Sequence, residues 1–186
     1  MSHRFVVLVL AVASLTVASA AALSLPGQVP LAWFAVLSGA QEVPAAETLA
    51  WGEATFTLLP DRETIQYRLV VANIWNVVAS HIHLGPAGVN GPVVAFLYGP
   101  ADPAGGRMDG VLATGVITAA KLVGPLAGQP LSALVEAMQT GNAYVNVHTS
   151  DGVADEAGPA GDYPGGEIRG QIQPANAVGR ALRRTR

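Results

Sequence analysis

Apolar and polar residues alternate with a period of two along most of this chain. In "TFTLLPDRETIQYRLVV", residues 55–71, two alternating runs flank Pro60-Asp61-Arg62, which predicts two strands joined by a turn. In the second run Ile65, Tyr67, Leu69 and Val71 share one face, while Gln66 and Arg68 point the other way. "VVASHIHL" (77–84), "PVVAFLY" (92–98), "GVLATGVIT" (110–118), "AYVNVHT" (143–149) and "GEIRGQI" (166–172) read as further strands. Clusters of Gly and Pro separate them, and Asn90-Gly91 predicts a tight turn before Pro92.

One segment changes period. In "PLSALVEAMQTGN", residues 130–142, Leu131, Leu134, Val135 and Met138 recur at helical spacing, and Gly141 supplies a left-handed stop. No internal repeat of 20 to 50 residues is present. Many closely spaced strands with one short helix predict an all-β fold, a two-sheet antiparallel β-sandwich or barrel of immunoglobulin-like kind.

Composition agrees with this picture. A chain of 186 residues can bury a full core, and its 21 glycines and 13 prolines suit many turns. It contains no cysteine, which excludes disulfides, thiolate metal sites and cysteine nucleophiles. "MSHRFVVLVLAVASLTVASA", residues 1–20, has the basic start, apolar run and small-residue end of a secretory signal. An uncleaved anchor is the alternative, but the run is short for a membrane span and no second one follows. The expected mature protein is secreted or periplasmic, with no stable membrane span. Residues 21–32 read as a linker.

Charge is unevenly placed. Arg180, Arg183, Arg184 and Arg186 make residues 175–186 a basic tail, expected to be solvated. All 13 acidic residues lie in the body, which argues against nucleic acid as a partner.

Three histidines remain once His3 leaves with the signal. Alternation puts His81 and His83 on one face of their strand, opposite Ile82 and Leu84. In "AYVNVHT", Tyr144, Asn146 and His148 oppose Val145 and Val147. If the valines and Ile82 face the core, all three imidazoles point away from it. In "GEIRGQI", Glu167, Arg169 and Gln171 would then also face outward. Residues i and i+2 on a strand lie roughly 6.5 Å apart, so two imidazoles can converge on one ion and a third can complete the set. Three nitrogen ligands suit copper or zinc, whereas calcium and magnesium want oxygen. Glu167 and Asn146 are the candidates for a fourth ligand or for orienting an imidazole. Ordinary exposed strand histidines are the competing reading.

Four blocks, "FAVLSGAQEVPA" (34–45), "SHIHLGPAGVNGPVV" (80–94), "GNAYVNVHT" (141–149) and "GGEIRGQI" (165–172), together resemble the CHRD domain, named from chordin. The resemblance implies an extracellular β-sandwich or barrel over residues 33–174, distantly similar to Cu,Zn superoxide dismutase. It likens His81 and His83 to that enzyme's copper-binding strand and His148 to a later copper histidine, which favours copper over zinc. The chain departs from a dismutase in having no further histidine to bridge copper to zinc and no disulfide. The segment "TSDGVADEAGPAGDYP" adds Asp151, Asp155, Glu156 and Asp162, which read as a solvated acidic loop, an oxygen ligand or an orienting partner.

Other chemistries lack their patterns. There is no Gly-x-Ser-x-Gly elbow, no phosphate-binding loop before a helix and no His-Glu-x-x-His, and no catalytic residue is assigned. Glu167 and Arg169 read as a structural charge pair. At least two of Trp33, Trp51 and Trp75 are expected in the core. Three readings follow: a secreted metal-binding domain, a non-enzymatic module that binds an extracellular protein or glycan, and, third, a copper redox enzyme.

Overall fold

The computed structural model describes residues 31–153 and 161–175. The signal segment, almost all of the 21–32 linker and of the basic tail, and Asp155 and Glu156 fall outside them. The strands are β1 (Ala32–Ser38), β2 (Trp51–Leu58), β3 (Ile65–Trp75), β4 (Val77–Leu84), β5 (Val93–Tyr98), β6 (Arg107–Ile117), β7 (Ala143–Thr149), β8 (Ile168–Gln171) and the short β9 (Gln173–Pro174). One helix, α1 (Leu131–Gln139), lies between β6 and β7.

All pairings are antiparallel and form one sheet in the order β5-β4-β7-β8-β1-β2-β3-β6, with β9 beside β1. The two ends of this order, β5 and β6, touch. From β3, the Tyr67 hydroxyl donates to the Leu97 carbonyl of β5 at 2.8 Å. The all-β expectation therefore holds, as a single sheet curled into a nearly closed barrel. Closure leaves few unpaired strand edges.

The alternation explains the core. Ile65, Leu69, Val71, Ile82, Val145, Val147 and Ile168 are fully buried on the inner face. Helix α1 covers one side with Leu131, Leu134, Ala137 and Met138, and Val135 is only partly buried. Its end is capped as the sequence predicts. Gly141 has φ +71°, and the Asn142 amide bonds back to the Ala137 carbonyl at 2.8 Å. The Pro60-Asp61-Arg62 turn is held by the Asp61 carboxylate, which accepts from the Glu63 and Thr64 amides and the Thr64 hydroxyl.

Two expectations change. The turn after β4 lies at Ala87-Gly88, where Gly88 has φ +79° and the Val89 amide bonds to Pro86, and not at Asn90-Gly91. Gly91 serves close approach instead, since a Cβ there would sit 1.5 Å from the Leu84 carbonyl oxygen. Second, only Trp33 is in the core. Trp51 and Trp75 are 48% and 43% exposed, beside Leu49 at 87%.

Candidate metal centre

The regular β4–β7 register sets His83 opposite Tyr144, His81 opposite Asn146 and Ala79 opposite His148. His148 is thus the diagonal neighbour of His81, within reach of an imidazole. On the other side of β4, pairing with β5 shifts register between Ser80 and His81 and again between Ile82 and His83. Such irregularities re-aim side chains. They also bring Phe96, 52% exposed, edge-on against His81 with ring centroids 4.9 Å apart.

The three imidazoles converge. One ring nitrogen from each of His81, His83 and His148 lies within 4.8 Å of the others. His81 Nδ1 and His148 Nε2 are 3.1 Å apart. Metal–nitrogen bonds of about 2.0–2.1 Å in a tetrahedron set ligand nitrogens roughly 3.3 Å apart, so this pair is already at ligand spacing and His83 has a short way to close.

Backbone carbonyls fix which nitrogens are offered. His83 Nδ1 lies 2.8 Å from the Gly91 carbonyl and His148 Nδ1 lies 2.8 Å from that of Pro164. A carbonyl only accepts, so each Nδ1 carries the proton and each Nε2 presents its lone pair, which in His148 accepts from His81 Nδ1 until a metal displaces that proton. His83 Nε2 is buried without a hydrogen-bond partner, as is Asn146 Oδ1. Orphaned buried polar atoms are rare. A metal ligated by His83 Nε2, His148 Nε2 and His81 Nδ1 would use that nitrogen, so the residues present fit a transition metal.

Electrostatics favour the same state. Burial pushes the His81 imidazolium down to about 4, helped by His148 and His83 beside it. Burial likewise lowers His83 and His148, against the opposing pull of the Gly91 carbonyl and the Asn146 side chain on His83 and of the Pro164 carbonyl on His148. Neutral imidazole is the metal-binding form.

The outward face of β7 and β8 is not wet. Glu167, Arg169 and Asn146 are 0%, 1% and 4% exposed, so these outward-facing residues are covered. Segments 39–48, 85–91 and 161–166 fold across it, so the sheet has a second buried layer made of polar groups. Glu167 accepts from Thr48 Oγ1 at 2.6 Å, Thr149 Oγ1 at 2.7 Å and the Gly161 amide at 3.1 Å. It therefore staples loops together. Among the described residues the convergent cluster consists of the three histidines without it. Nor does Glu167 pair with Arg169, whose guanidinium donates to Asn90 and to the Pro86 and Val89 carbonyls. Asn146 does sit in this layer, and its Nδ2 lines a space beside Gly166 together with Glu42 Oε1.

Of the acidic-loop residues that are described, Asp162 is buried and its carboxylate accepts from the Asp151 amide at 3.5 Å; neither joins the histidines. Glu42 was not singled out from sequence. It is 7% exposed and burial pushes its carboxyl up to about 7, against the lowering charge of Arg169. Its signal was its place in "AQEVPA", outside any strand, where alternation says nothing about burial.

A family model for the CHRD domain matches residues 33–157, which include all three histidines and end before β8. Among curated proteins and among solved structures, none matches. More than half of the chain is covered, and the chain belongs to the CHRD domain family.

Proposed function

We propose that this protein is an exported CHRD domain that binds one transition-metal ion, copper in preference to zinc, through His81, His83 and His148. The observation that carries the reading is the convergence of three neutral imidazoles, two of them oriented by backbone carbonyls. Copper is favoured because an all-imidazole site follows the general order of affinities, in which Cu²⁺ exceeds Zn²⁺. Export rests on the signal-like residues 1–20.

The test is a copper and zinc titration of the domain beside a His81→Ala, His83→Ala, His148→Ala triple variant. Metal content is read by mass spectrometry and the Cu(II) environment by electron paramagnetic resonance. Tight one-to-one binding with nitrogen hyperfine structure, lost in the variant, is expected. Equal weak binding by both proteins would sink the reading.

A second reading has its own observation. Leu49 and Trp75, with Glu47, Thr48 and Asn73, line a shallow cleft, and Trp51 stands exposed two residues from Leu49. Exposed aromatics among polar side chains suit an extracellular protein or glycan ligand. Neutral oligosaccharides that change tryptophan fluorescence in the wild type and not in a Trp51→Ser, Trp75→Ser variant would support glycan binding. No change in either would remove glycans from this reading.

A further inference from the structure

The polar layer contains a charge whose placement needs a reason. Arg169 is 1% exposed, and Glu167, two residues earlier and just before β8, gives its carboxylate to hydroxyls and an amide instead. Burying a guanidinium on neutral acceptors is costly. The Glu42 carboxyl feels its charge but holds its own proton up to about pH 7, so it does not cancel that charge in more acidic solution.

Among the described residues, the contacts of the Arg169 guanidinium lead to His83. Its Nη1 donates to Asn90 Oδ1 at 3.1 Å, and its Nη2 donates to the carbonyls of Pro86 at 3.1 Å and Val89 at 3.0 Å. These three acceptors span the loop whose next residue, Gly91, accepts from His83 Nδ1. The guanidinium carbon also lies 3.4 Å from the centroid of the Tyr144 ring. Tyr144 in turn stacks on His83, with centroids 4.9 Å apart and planes 12° from parallel. The Tyr144 hydroxyl accepts from the Gly91 amide at 3.0 Å, closing the circuit.

We infer that Arg169 is a positioning residue of the three-histidine site: it clamps residues 86–90 and backs Tyr144, so that His83 is held with Nε2 turned inward, and its fixed charge favours the lower oxidation state of copper there. The first half concerns the metal-free protein. The second half rests on the copper reading. A fixed positive charge repels Cu(II) more than Cu(I), because the interaction scales with the charge of the ion. Planar, forked donors suit the first role, which explains Arg where Lys would supply charge alone.

Two variants separate the roles: Arg169→Lys keeps the charge and loses the fork, and Arg169→Met loses both. The first measurement is the His83 tautomer in metal-free, ¹⁵N-labelled protein at pH 8, by long-range ¹H–¹⁵N correlation. The wild type is expected to carry its proton on Nδ1, and both variants to show a mixture. An unchanged tautomer in both would overturn the clamp. The second measurement is the ratio of Cu(I) to Cu(II) association constants at pH 6, where Glu42 keeps its proton, by chelator competition. That ratio should fall by about 10-fold or more in Arg169→Met and stay near wild type in Arg169→Lys. An unchanged ratio in Arg169→Met would overturn the charge effect. If either variant fails to fold, Asn90→Ala removes one acceptor of the clamp, and it should mix the tautomer while leaving the ratio alone. Should the wild type bind no copper, the charge effect falls with the copper reading, and the tautomer still decides the clamp.

Discussion

His81 and Glu42 answer to the same cause with opposite consequences for stability. Burial disfavours the charged form of each, holding His81 near 4 and Glu42 near 7. For His81 the folded value lies below the ordinary 6.5, so between about pH 4 and 6.5 the unfolded chain binds the extra proton. Its contribution is complete above that window and is lost as pH falls through it; His83 and His148 act in the same direction. For Glu42 the folded value lies above the ordinary 4.5, so its contribution is complete below that and declines as pH rises towards 7. Urea denaturation of the metal-free protein should show His81→Gln flattening the rise in stability between pH 4 and 6.5. The same experiment should show Glu42→Gln gaining on the wild type between pH 5 and 8. Glu167 differs from both, because its carboxylate is fully used. Glu167→Ala leaves two hydroxyls and an amide without their acceptor and is expected to cost about 3 kcal/mol. One-to-one metal stoichiometry should survive at low temperature, read by mass spectrometry.

Elements, more than residues, decided what could be read in advance. The histidine trio was legible because strand period two is strict: once Ile82, Val145 and Val147 face the core, His81, His83 and His148 must face away. The strands β4 and β7 match their expected limits for the same reason. What covers that far face was not legible, because it comes from loops whose side chains follow no period. Alternation places Glu167 and Arg169 on the outward face but says nothing of the loops that bury them there, and it gives no signal for Glu42. The loop before β5 shows the difficulty at one dipeptide. Asn90-Gly91 carries the composition of a turn, yet Gly91 is there to let the chain pass the Leu84 carbonyl, and the Asn90 side chain donates to Val43 while accepting from Arg169. Gly91→Ala cannot keep that approach. It should lower stability by on the order of 3 kcal/mol and weaken metal binding about 10- to 100-fold, seen by denaturation and chelator competition.

At the scale of the whole molecule, the barrel brings together parts of the chain that lie far apart in sequence. β8 lies between β7 and β1, a placement no local pattern specifies, and this puts Glu167 and Arg169 beside β7. Because the three histidines come from two non-consecutive strands, an ion bound to all of them should hold the barrel together. At a free copper concentration 100 times the dissociation constant, the native state gains about 2.7 kcal/mol. The thermal midpoint should rise on adding copper and return on chelation, and the triple histidine variant should show neither change.

The two carbonyls that aim His83 and His148 belong to Gly91 and Pro164, neither of which lies on the strand carrying its imidazole. Transplanting the β4–β7 pair into another barrel would move the histidines and leave their aim behind. A faithful graft would have to carry at least four stretches of chain: the two strands, the 85–91 loop and the 161–166 loop. The three-histidine arrangement therefore depends on the whole domain rather than on a short motif. A protein engineer seeking it elsewhere would do better to rebuild the loops of this scaffold than to copy its histidines.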